Sequence, residues 1–337
     1  MKKALIAVLA LAAVACNKAE IVEQSPANAI TFESVFVDNA TKAAYDGSYN
    51  KDNLAMFEVY ATITGEEGKT ANIFKQEEVV KGNSLGQGVN WSYSSGNTQY
   101  WVPGNKYSFR AIADGNVLNV TEVETDTYGM ATAINLLDAS AQKDILTAQY
   151  NVDNYTTPQS GLPSPVAFTF AHILSKVKFT VKNTVETNNG YSYKVSNISM
   201  NDIAQNGVYT FGTGWTQAAE PATYNLSFGN AVATGTETGA EASDIPYNSS
   251  MESNYDRLLI PVTNQVFKIT FDYQLLKDGI VIDTKTREDI TTGNLELKPG
   301  HAYNFIFSLG NPGDPIQFDL ETVTGWNTSH SNYNTEL

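Results

Sequence analysis

Apolar and polar residues alternate with a period of two along much of the chain, most clearly over residues 168–181. In the second half of this run, one face is apolar and the other polar: Val177, Phe179 and Val181 against Lys176, Lys178 and Thr180. A period of two with aromatic and β-branched residues is typical of a half-buried strand. We therefore predict one long strand here, with a local irregularity at residues 171–175, as the central strand of a β-sandwich.

The first alternating run is the strand expected at residues 30–37. Ile30 and Phe32 lie in one register, whereas Val35 and Val37 lie in the other, which predicts a β-bulge between the two pairs. Residues 38–51 then break the pattern with glycine, serine and asparagine. We expect a loop there, which joins the first strand to the rest of the fold.

Residues 132–150 differ from the other patterned segments, because their apolar residues recur at spacings of three and four: Ile134, Leu137, Ala141, Ile145 and Ala148. This spacing predicts one short helix in an otherwise all-β chain. Further alternating runs predict strands at 56–63, 107–113, 191–201, 207–211, 258–262, 266–273, 280–282, 303–307 and 315–323.

The length of the chain is sufficient for two domains, each with its own core. From residue 212 to residue 254 the sequence is rich in Gly, Thr, Ala and Glu and has little apolar pattern. We place the boundary at the start of this segment, which gives domains at 29–213 and 214–337. The alternative is one long loop inside a continuous domain.

The amino terminus has the features of a secretory signal over residues 1–15. Lys2 and Lys3 precede a short apolar run that ends in small residues directly before Cys16. This placement of Cys16 resembles a lipobox, with Ala13 where leucine is usual, and predicts a lipidated cysteine followed by a polar tether over 16–28. The alternative is an ordinary signal peptide that happens to contain a cysteine. Cys16 is the only cysteine, so no intrachain disulfide can form.

Charge and composition narrow the class of protein. The formal net charge of −15 disfavours binding to nucleic acid. After residue 15 there is no long apolar stretch, and Thr, Asn, Gly and Tyr are abundant. These features indicate an extracellular all-β protein and not a membrane channel.

The sequence has no recognisable catalytic or metal-binding motif, so we predict no enzyme activity, no cofactor and no metal. His172, His301 and His330 are far apart and lie outside any metal-ligand spacing. We expect His172 to be a packed, hydrogen-bonded core residue. The four tryptophans lie in or at the ends of strand patterns, where they are expected to fill core, although exposed aromatic rings on a sandwich could bind sugars.

Several short motifs resemble, in the expected order, the fimbrillin-like family of Bacteroidetes surface proteins, the subunits of type V pili. The central one is Phe-x-His-x-x-Ser-Lys-Val-x-Phe-x-Val at residues 170–181. The others are the Trp, Pro-Gly, Tyr-x-Phe block at 101–109, the Lys-Asp-Ile-Leu-Thr-Ala segment at 143–148, Leu-Ile-Pro at 259–261, Lys-Pro-Gly-x-x-Tyr-x-Phe at 298–305, and Gly-Trp at 325–326.

The resemblance implies two tandem transthyretin-like Greek-key β-sandwich domains in a subunit of an outer-membrane-anchored fimbria. It implies assembly by proteolytic removal of the first strand, whose inward candidates are Ile30, Phe32, Val35 and Val37, and its replacement by a strand of another subunit. The candidate donor residues are Ile316, Phe318 and Leu320. The alternative is that these three residues complete their own domain.

The processing site departs from the family pattern of Arg-Ala, since no arginine precedes Arg110. The nearest match is Lys42-Ala43, so either a protease that accepts lysine acts here or the chain is an uncleaved anchor or accessory subunit. Stalk, tip and anchor roles all stay open. The expected partners are other pilus subunits, the membrane through lipid on Cys16, and host or bacterial surface ligands. The rival hypotheses are a monomeric surface lipoprotein that binds glycans and, third, a hydrolase.

Overall fold

The computed structural model describes residues 28–37, 54–82, 91–113, 119–121, 129–133, 143–156, 163–204, 206–217, 223–236, 239–323 and 330–334. These residues are mostly in β-strands, and they include a 3-10 turn at Ser95–Asn97. The prediction of an all-β fold is therefore confirmed. Within the described ranges, no helix is long and apolar enough to cross a lipid bilayer.

The strands are, in chain order, β1 (Phe32–Val37), β2 (Met56–Thr64), β3 (Thr70–Lys81), β4 (Trp91–Ser92), β5 (Lys106–Ala113), β6 (Asn119–Thr121), β7 (Gly129–Ala133), β8 (Leu146–Val152), β9 (Val166–His172), β10 (Ser175–Asn183), β11 (Tyr191–Ala204), β12 (Asn206–Thr210), β13 (Gly214–Gln217), β14 (Thr223–Gly229), β15 (Ala231–Val232), β16 (Ser250–Ser253), β17 (Arg257–Leu259), β18 (Val262–Lys277), β19 (Ile280–Leu297), β20 (Ala302–Leu309), β21 (Gln317–Val323) and β22 (His330–Asn334).

The first structural unit is a closed barrel of seven strands, in the order β1-β4-β3-β2-β5-β8-β9, in which β9 pairs with β1. Along β9, buried and exposed residues alternate strictly, as the period of two requires. The interior is rich in aromatic rings, all of them fully buried: Phe32, Phe57, Phe74, Phe109, Phe168 and Phe170. We call this interior the first core.

The second unit is a sandwich of two sheets. One sheet has the order β15-β16-β10-β20-β21-β22, with β17 also paired to β10, and the other has the order β14-β11-β18-β19. Rings from the two sheets meet between them: Phe179 of β10 lies 4.5 Å from Phe228 of β14, and Phe271 of β18 lies 5.3 Å from Phe307 of β20, between ring centroids. We call this interior the second core.

A small third sheet has the order β13-β12-β7-β6, and its strand β7 includes the first residues of the segment where the short helix was predicted. Gly129–Ala133 forms β7, and Leu146–Val152 forms β8, so both ends of the segment 132–150 are strand. Residues 134–142 lie outside the described residues. The helix therefore stays a prediction for those residues. At the described end of the segment the apolar spacing has another cause, because Ile145 belongs to the second core whereas Leu146 and Ala148 belong to the first. When consecutive residues of a strand are buried in two different cores, apolar residues can also recur at spacings of three and four, as they do in a helix.

The run over residues 168–181 is divided between the two units. It forms β9 and β10, which belong to different sheets and are separated by Ile173 and Leu174. The expected irregularity at 171–175 is thus a complete break. The polar face of β10 is also more buried than expected, since Lys176 is only 6% exposed and its ammonium lies 2.9 Å from Asp256.

Strand pairing bears on the boundary expected at residues 213 and 214. β12 and β13 pair with each other across that position, with Val208 opposite Thr216. β11 pairs with both β14 and β18, so strands before and after the expected boundary share a sheet. We therefore propose that the division between the two units lies instead at residues 173–174, between β9 and β10.

Candidate strand-exchange site

β1 closes the first unit, because it lies between β4 and β9. It runs parallel to β9, with Phe32 opposite Val166 and Val37 opposite Phe170, and it meets β4 where Phe32 lies opposite Trp91. The register shifts between Glu33 and Phe36, so the β-bulge predicted in this strand is confirmed. Because β1 is the single strand between β4 and β9, its removal would open the barrel between those two strands.

Backbone hydrogen bonds fix the entry to β1. The N–H of Ile30 donates to the carbonyl oxygen of Gln99 at 2.8 Å, and the N–H of Trp101 donates to the carbonyl oxygen of Asn28 at 2.9 Å. On the β9 side, the N–H of Val166 donates to the carbonyl oxygen of Thr31 at 2.7 Å. A strand placed here therefore satisfies backbone groups on both of its sides.

Phe32 is the central apolar contact of β1. Its ring is 1% exposed. Its centroid lies between 5.7 and 6.5 Å from those of Phe57, Phe74, Tyr93, Phe109 and Phe168. Ile30, two residues earlier, is fully buried in the same core. Each such side chain contributes about 1.5–3 kcal/mol when it is removed from water, so Phe32 in β1 and Ile30 just before it are the main apolar anchors among the described side chains of this segment.

Tyr93 adds a side-chain clamp on this segment, which no sequence pattern indicated. Its hydroxyl donates to the carbonyl oxygen of Ile30 at 2.8 Å and accepts from the N–H of Gln99 at 3.4 Å. Burial raises the pKa of Tyr93 to about 12, because the low-dielectric surroundings disfavour the phenolate. The hydroxyl therefore keeps the proton that it donates to the carbonyl oxygen of Ile30, just before β1.

Several residues predicted for this site lie outside the described part of the chain. Cys16, Lys42 and Ala43 are among them. Val35 and Val37 are in β1 by their backbone, but their side chains are outside the described set. Their assignments stay predictions.

The candidate donor residues lie in the second unit, away from β1. β21 is antiparallel to β20 on one side and to β22 on the other. Phe318 and Leu320 are buried, and the ring of Phe318 lies 5.6 Å from Phe305 and 5.7 Å from Phe307. Ile316 is partly buried against the same core. In this chain the three residues therefore contribute to their own second core, and the structure does not bring them together with β1.

His172 is the buried, hydrogen-bonded histidine that the sequence predicted. Its Nδ1 lies 2.6 Å from the carboxylate Oδ2 of Asp144, and both side chains are almost completely buried. The pair links the chain just before β8 to the end of β9. Nothing in the sequence indicated Asp144 as the partner, since the contact joins residues that are far apart along the chain.

Two of the tryptophans fill core, as predicted, because Trp91 and Trp101 are buried in the first unit. Trp215 is half-buried against the second core, and its indole N–H donates to the carbonyl oxygen of Ile173 at 2.5 Å. Trp326 lies outside the described residues. In the part of the chain that the structure describes, no three His, Cys, Asp or Glu side chains are grouped so that they could hold a metal ion.

Comparison with known proteins adds an independent observation. A family model described as fimbrillin-like matches residues 41–326. No curated protein matches the chain. Among solved structures, a fimbrial protein from Bacteroides vulgatus is 17% identical, and the match covers 89% of this chain and 100% of that one with a TM-score of 0.65. A proposed cell adhesion protein from Bacteroides uniformis is 14% identical, with 90% and 100% covered and a TM-score of 0.49.

At these identities, the similarity to the Bacteroides vulgatus protein is evidence for a shared fold and not for a shared function. The family match, in contrast, rests on the sequence itself. It extends over both units and includes the central motif at residues 170–181. The chain belongs to the fimbrillin-like family.

Proposed function

We propose that this chain is an adhesive pilus subunit at the cell surface, carried there as a lipoprotein through Cys16. Membership of the fimbrillin-like family supports a fimbrial role. The lipid would hold the chain on the outer membrane until the segment before β2 is cut. The subunit would then pass into a fibre, with other pilus subunits as its partners.

The position of β1 supports assembly by strand exchange. It completes the first unit between β4 and β9, yet residues 38–55 separate it in sequence from β2. A cut in that segment would leave β1 held to its unit by non-covalent contacts alone. The segment contains Lys42-Ala43, where we propose that cleavage occurs.

Loss of β1 would leave a slot with two kinds of exposed group. The backbone of β9, including the N–H of Val166, would lose its partners, and the rings around Phe32 would be exposed to water. Unpaired backbone groups and exposed apolar surface both raise the free energy of the emptied subunit. An incoming strand with apolar residues at the places of Ile30 and Phe32 would restore both contacts, so the joint would be long-lived.

The donor is proposed to be the segment that contains Ile316, Phe318 and Leu320 of a neighbouring subunit. Donation requires β21 to leave its place between β20 and β22, where Phe318 and Leu320 are buried. The free energy gained when the donated strand fills the slot left by β1 must therefore exceed the free energy lost from the second core of the donor. The alternative is that β21 stays in its own unit and another segment is donated.

The experiment is a comparison of two lysine variants in the same segment, expressed in the native cell. Lys42→Ala removes the proposed processing site, whereas Lys51→Ala is the matched control. Amino-terminal sequencing and intact mass are measured on the surface protein, and multimers are resolved by electrophoresis without heating. We expect the wild type and Lys51→Ala to begin at Ala43 and to form multimers, and Lys42→Ala to stay acylated at Cys16 and monomeric.

Two results would contradict the proposal. A wild-type protein found solely as an acylated species that begins at Cys16, without multimers, would leave an anchor subunit or a monomeric surface lipoprotein. Multimers of Lys42→Ala as abundant as those of the wild type would show that assembly does not depend on this cut.

A further inference from the structure

The sheet β14-β11-β18-β19 has one closed edge and one open edge. At the β14 edge, two carbonyl oxygens accept hydrogen bonds from the β16–β17 connection and from β17. The N–H of Tyr255 donates to the carbonyl oxygen of Phe228 at 3.2 Å, and the Nε–H of Arg257 donates to the carbonyl oxygen of Ser227 at 2.6 Å. At the other edge, β19 pairs with β18 alone among the described strands.

The outer half of β19 is exposed and begins with three consecutive aliphatic residues. Ile280 is 69% exposed, Val281 46% and Ile282 53%. The residues that follow, through Arg287, are also exposed. An edge strand with exposed apolar side chains is a template for pairing with another strand. We call residues 280–288 the β19 edge.

The backbone at Thr284 faces this open edge. Thr284 lies opposite Gln274 of β18, and its N–H donates to the carboxylate of Asp283 on its own strand at 2.8 Å. In an antiparallel pair, alternate residues direct both their N–H and C=O groups away from the partner strand. Thr284 is therefore placed to exchange two hydrogen bonds with an approaching strand.

We propose that the β19 edge binds the β19 edge of a second copy of this chain, antiparallel, about a two-fold axis at Thr284. This register places Asp283 opposite Lys285 of the second copy, twice by symmetry, and Thr284 opposite its own equivalent. Opposite charges and paired β-branched residues are favourable cross-strand pairs.

The charges select this register against its neighbours. An axis at Asp283 would place two aspartates opposite each other, and an axis at Lys285 would place two lysines opposite each other. Like charges directly opposite each other are destabilising. The pairing uses neither β1 nor the segment 38–55, so it joins subunits side by side and is independent of strand exchange.

A cysteine placed on the proposed axis tests this directly. In the chain that begins at residue 17, without Cys16, Thr284→Cys supplies the only thiol. The described fold begins at residue 28, so this protein retains it. Hydrogen-bonded antiparallel residues have Cα atoms about 5.5 Å apart, within the range that a disulfide spans. Thr286→Cys is the matched control, because the proposed register places the two copies of residue 286 roughly 13 Å apart along the strands.

Under mild oxidation we expect Thr284→Cys to form a disulfide-linked dimer and Thr286→Cys to form none. Equal linkage in the two variants, or none in Thr284→Cys, would overturn the proposal. The uncut chain is used, so a failure here is distinct from a failure of strand exchange.

Exchange of the two charges gives a second test by sedimentation. Asp283→Lys and Lys285→Asp should each lose self-association, because each places like charges across the axis. Mixed in equal amounts, the two variants should recover it, since every facing pair is then opposite in charge. Self-association of either variant at the wild-type level, or no recovery in the mixture, would contradict the register.

Discussion

Tyr93 and Phe32 hold β1 by different physical means. Phe32 inserts a ring among five other aromatic rings, a contact that does not depend on pH. Tyr93 donates a hydrogen bond to the carbonyl oxygen of Ile30, which requires its proton. Deprotonation of Tyr93 at high pH therefore removes one of the interactions that stabilise the β1 segment.

Tyr93→Phe should show this component. Burial raises the pKa of Tyr93 in the folded protein to about 12, above its ordinary value of 10.0, so its contribution is complete below pH 10 and is lost as the pH rises from 10 towards 12. We expect the wild type to be more stable than Tyr93→Phe by about 0.5–1.5 kcal/mol at pH 8. Urea denaturation should show this gap narrowing from pH 10 upward.

Other buried tyrosines, such as Tyr193 with its pKa raised to about 12 by burial, titrate in both proteins and cancel in the comparison. A gap that stays constant between pH 8 and pH 11 would contradict the assigned role of the Tyr93 proton.

At the scale of elements, β1 and β21 raise the same question of where a strand belongs. β1 fills a slot in the first unit from a position that is remote in sequence. β21 fills the second core, next to the chain end, and is the proposed donor for the slot of another subunit. Both strands have apolar faces that either partner would bury, so their local sequence does not choose between the two places.

Phe318→Ala separates the two roles of β21. We expect the uncut chain to lose about 3–5 kcal/mol in its free energy of unfolding, because Phe318 is buried against Phe305 and Phe307. Guanidinium denaturation measures this loss. Processed Phe318→Ala should also fail to form multimers under conditions where the uncut variant is fully folded.

If processed Phe318→Ala forms multimers as the wild type does, β21 is not the donor. That result would leave strand exchange at β1 in place and would require another donor segment.

At the scale of the whole molecule, the two units share apolar contacts at their junction. Tyr60, Ile112 and Ile145 come from strands or segments of the first unit, yet they pack in the second core. The buried pair of His172 and Asp144 lies at the same junction. The second unit therefore depends partly on the first for its stability.

Ile112→Ala should reveal this dependence. We expect it to cost about 2–5 kcal/mol and to lower the unfolding temperature of both units, because Ile112 is 1% exposed and packs in the second core. Val59→Ala is the matched control, since Val59 is buried wholly in the first core. Calorimetry of the uncut chain measures both effects. An unfolding profile of Ile112→Ala in which the second unit is unchanged would contradict the shared core.

The class of fold follows from the amino-acid sequence alone, because the period of two is a local property of each strand. The sequence also predicted the bulge in β1 and the buried state of His172, Trp91 and Trp101. It did not reveal β3, most of whose residues are exposed, or the full length of β19, whose outer half is exposed on both faces. Those strands exist because neighbouring strands pair with them, and not because of an apolar pattern.

Which strands pair with each other depends on the three-dimensional arrangement of the chain. The break at residues 173–174, the clamp from Tyr93 to Ile30 and the open edge at β19 all depend on residues that are distant in sequence. The strand at the end of the segment 132–150 has the same origin, because Ile145 and Leu146 face different cores. Alternation specifies which side of a strand is buried, but the partner strand is chosen by the three-dimensional fit of surfaces that no local pattern describes.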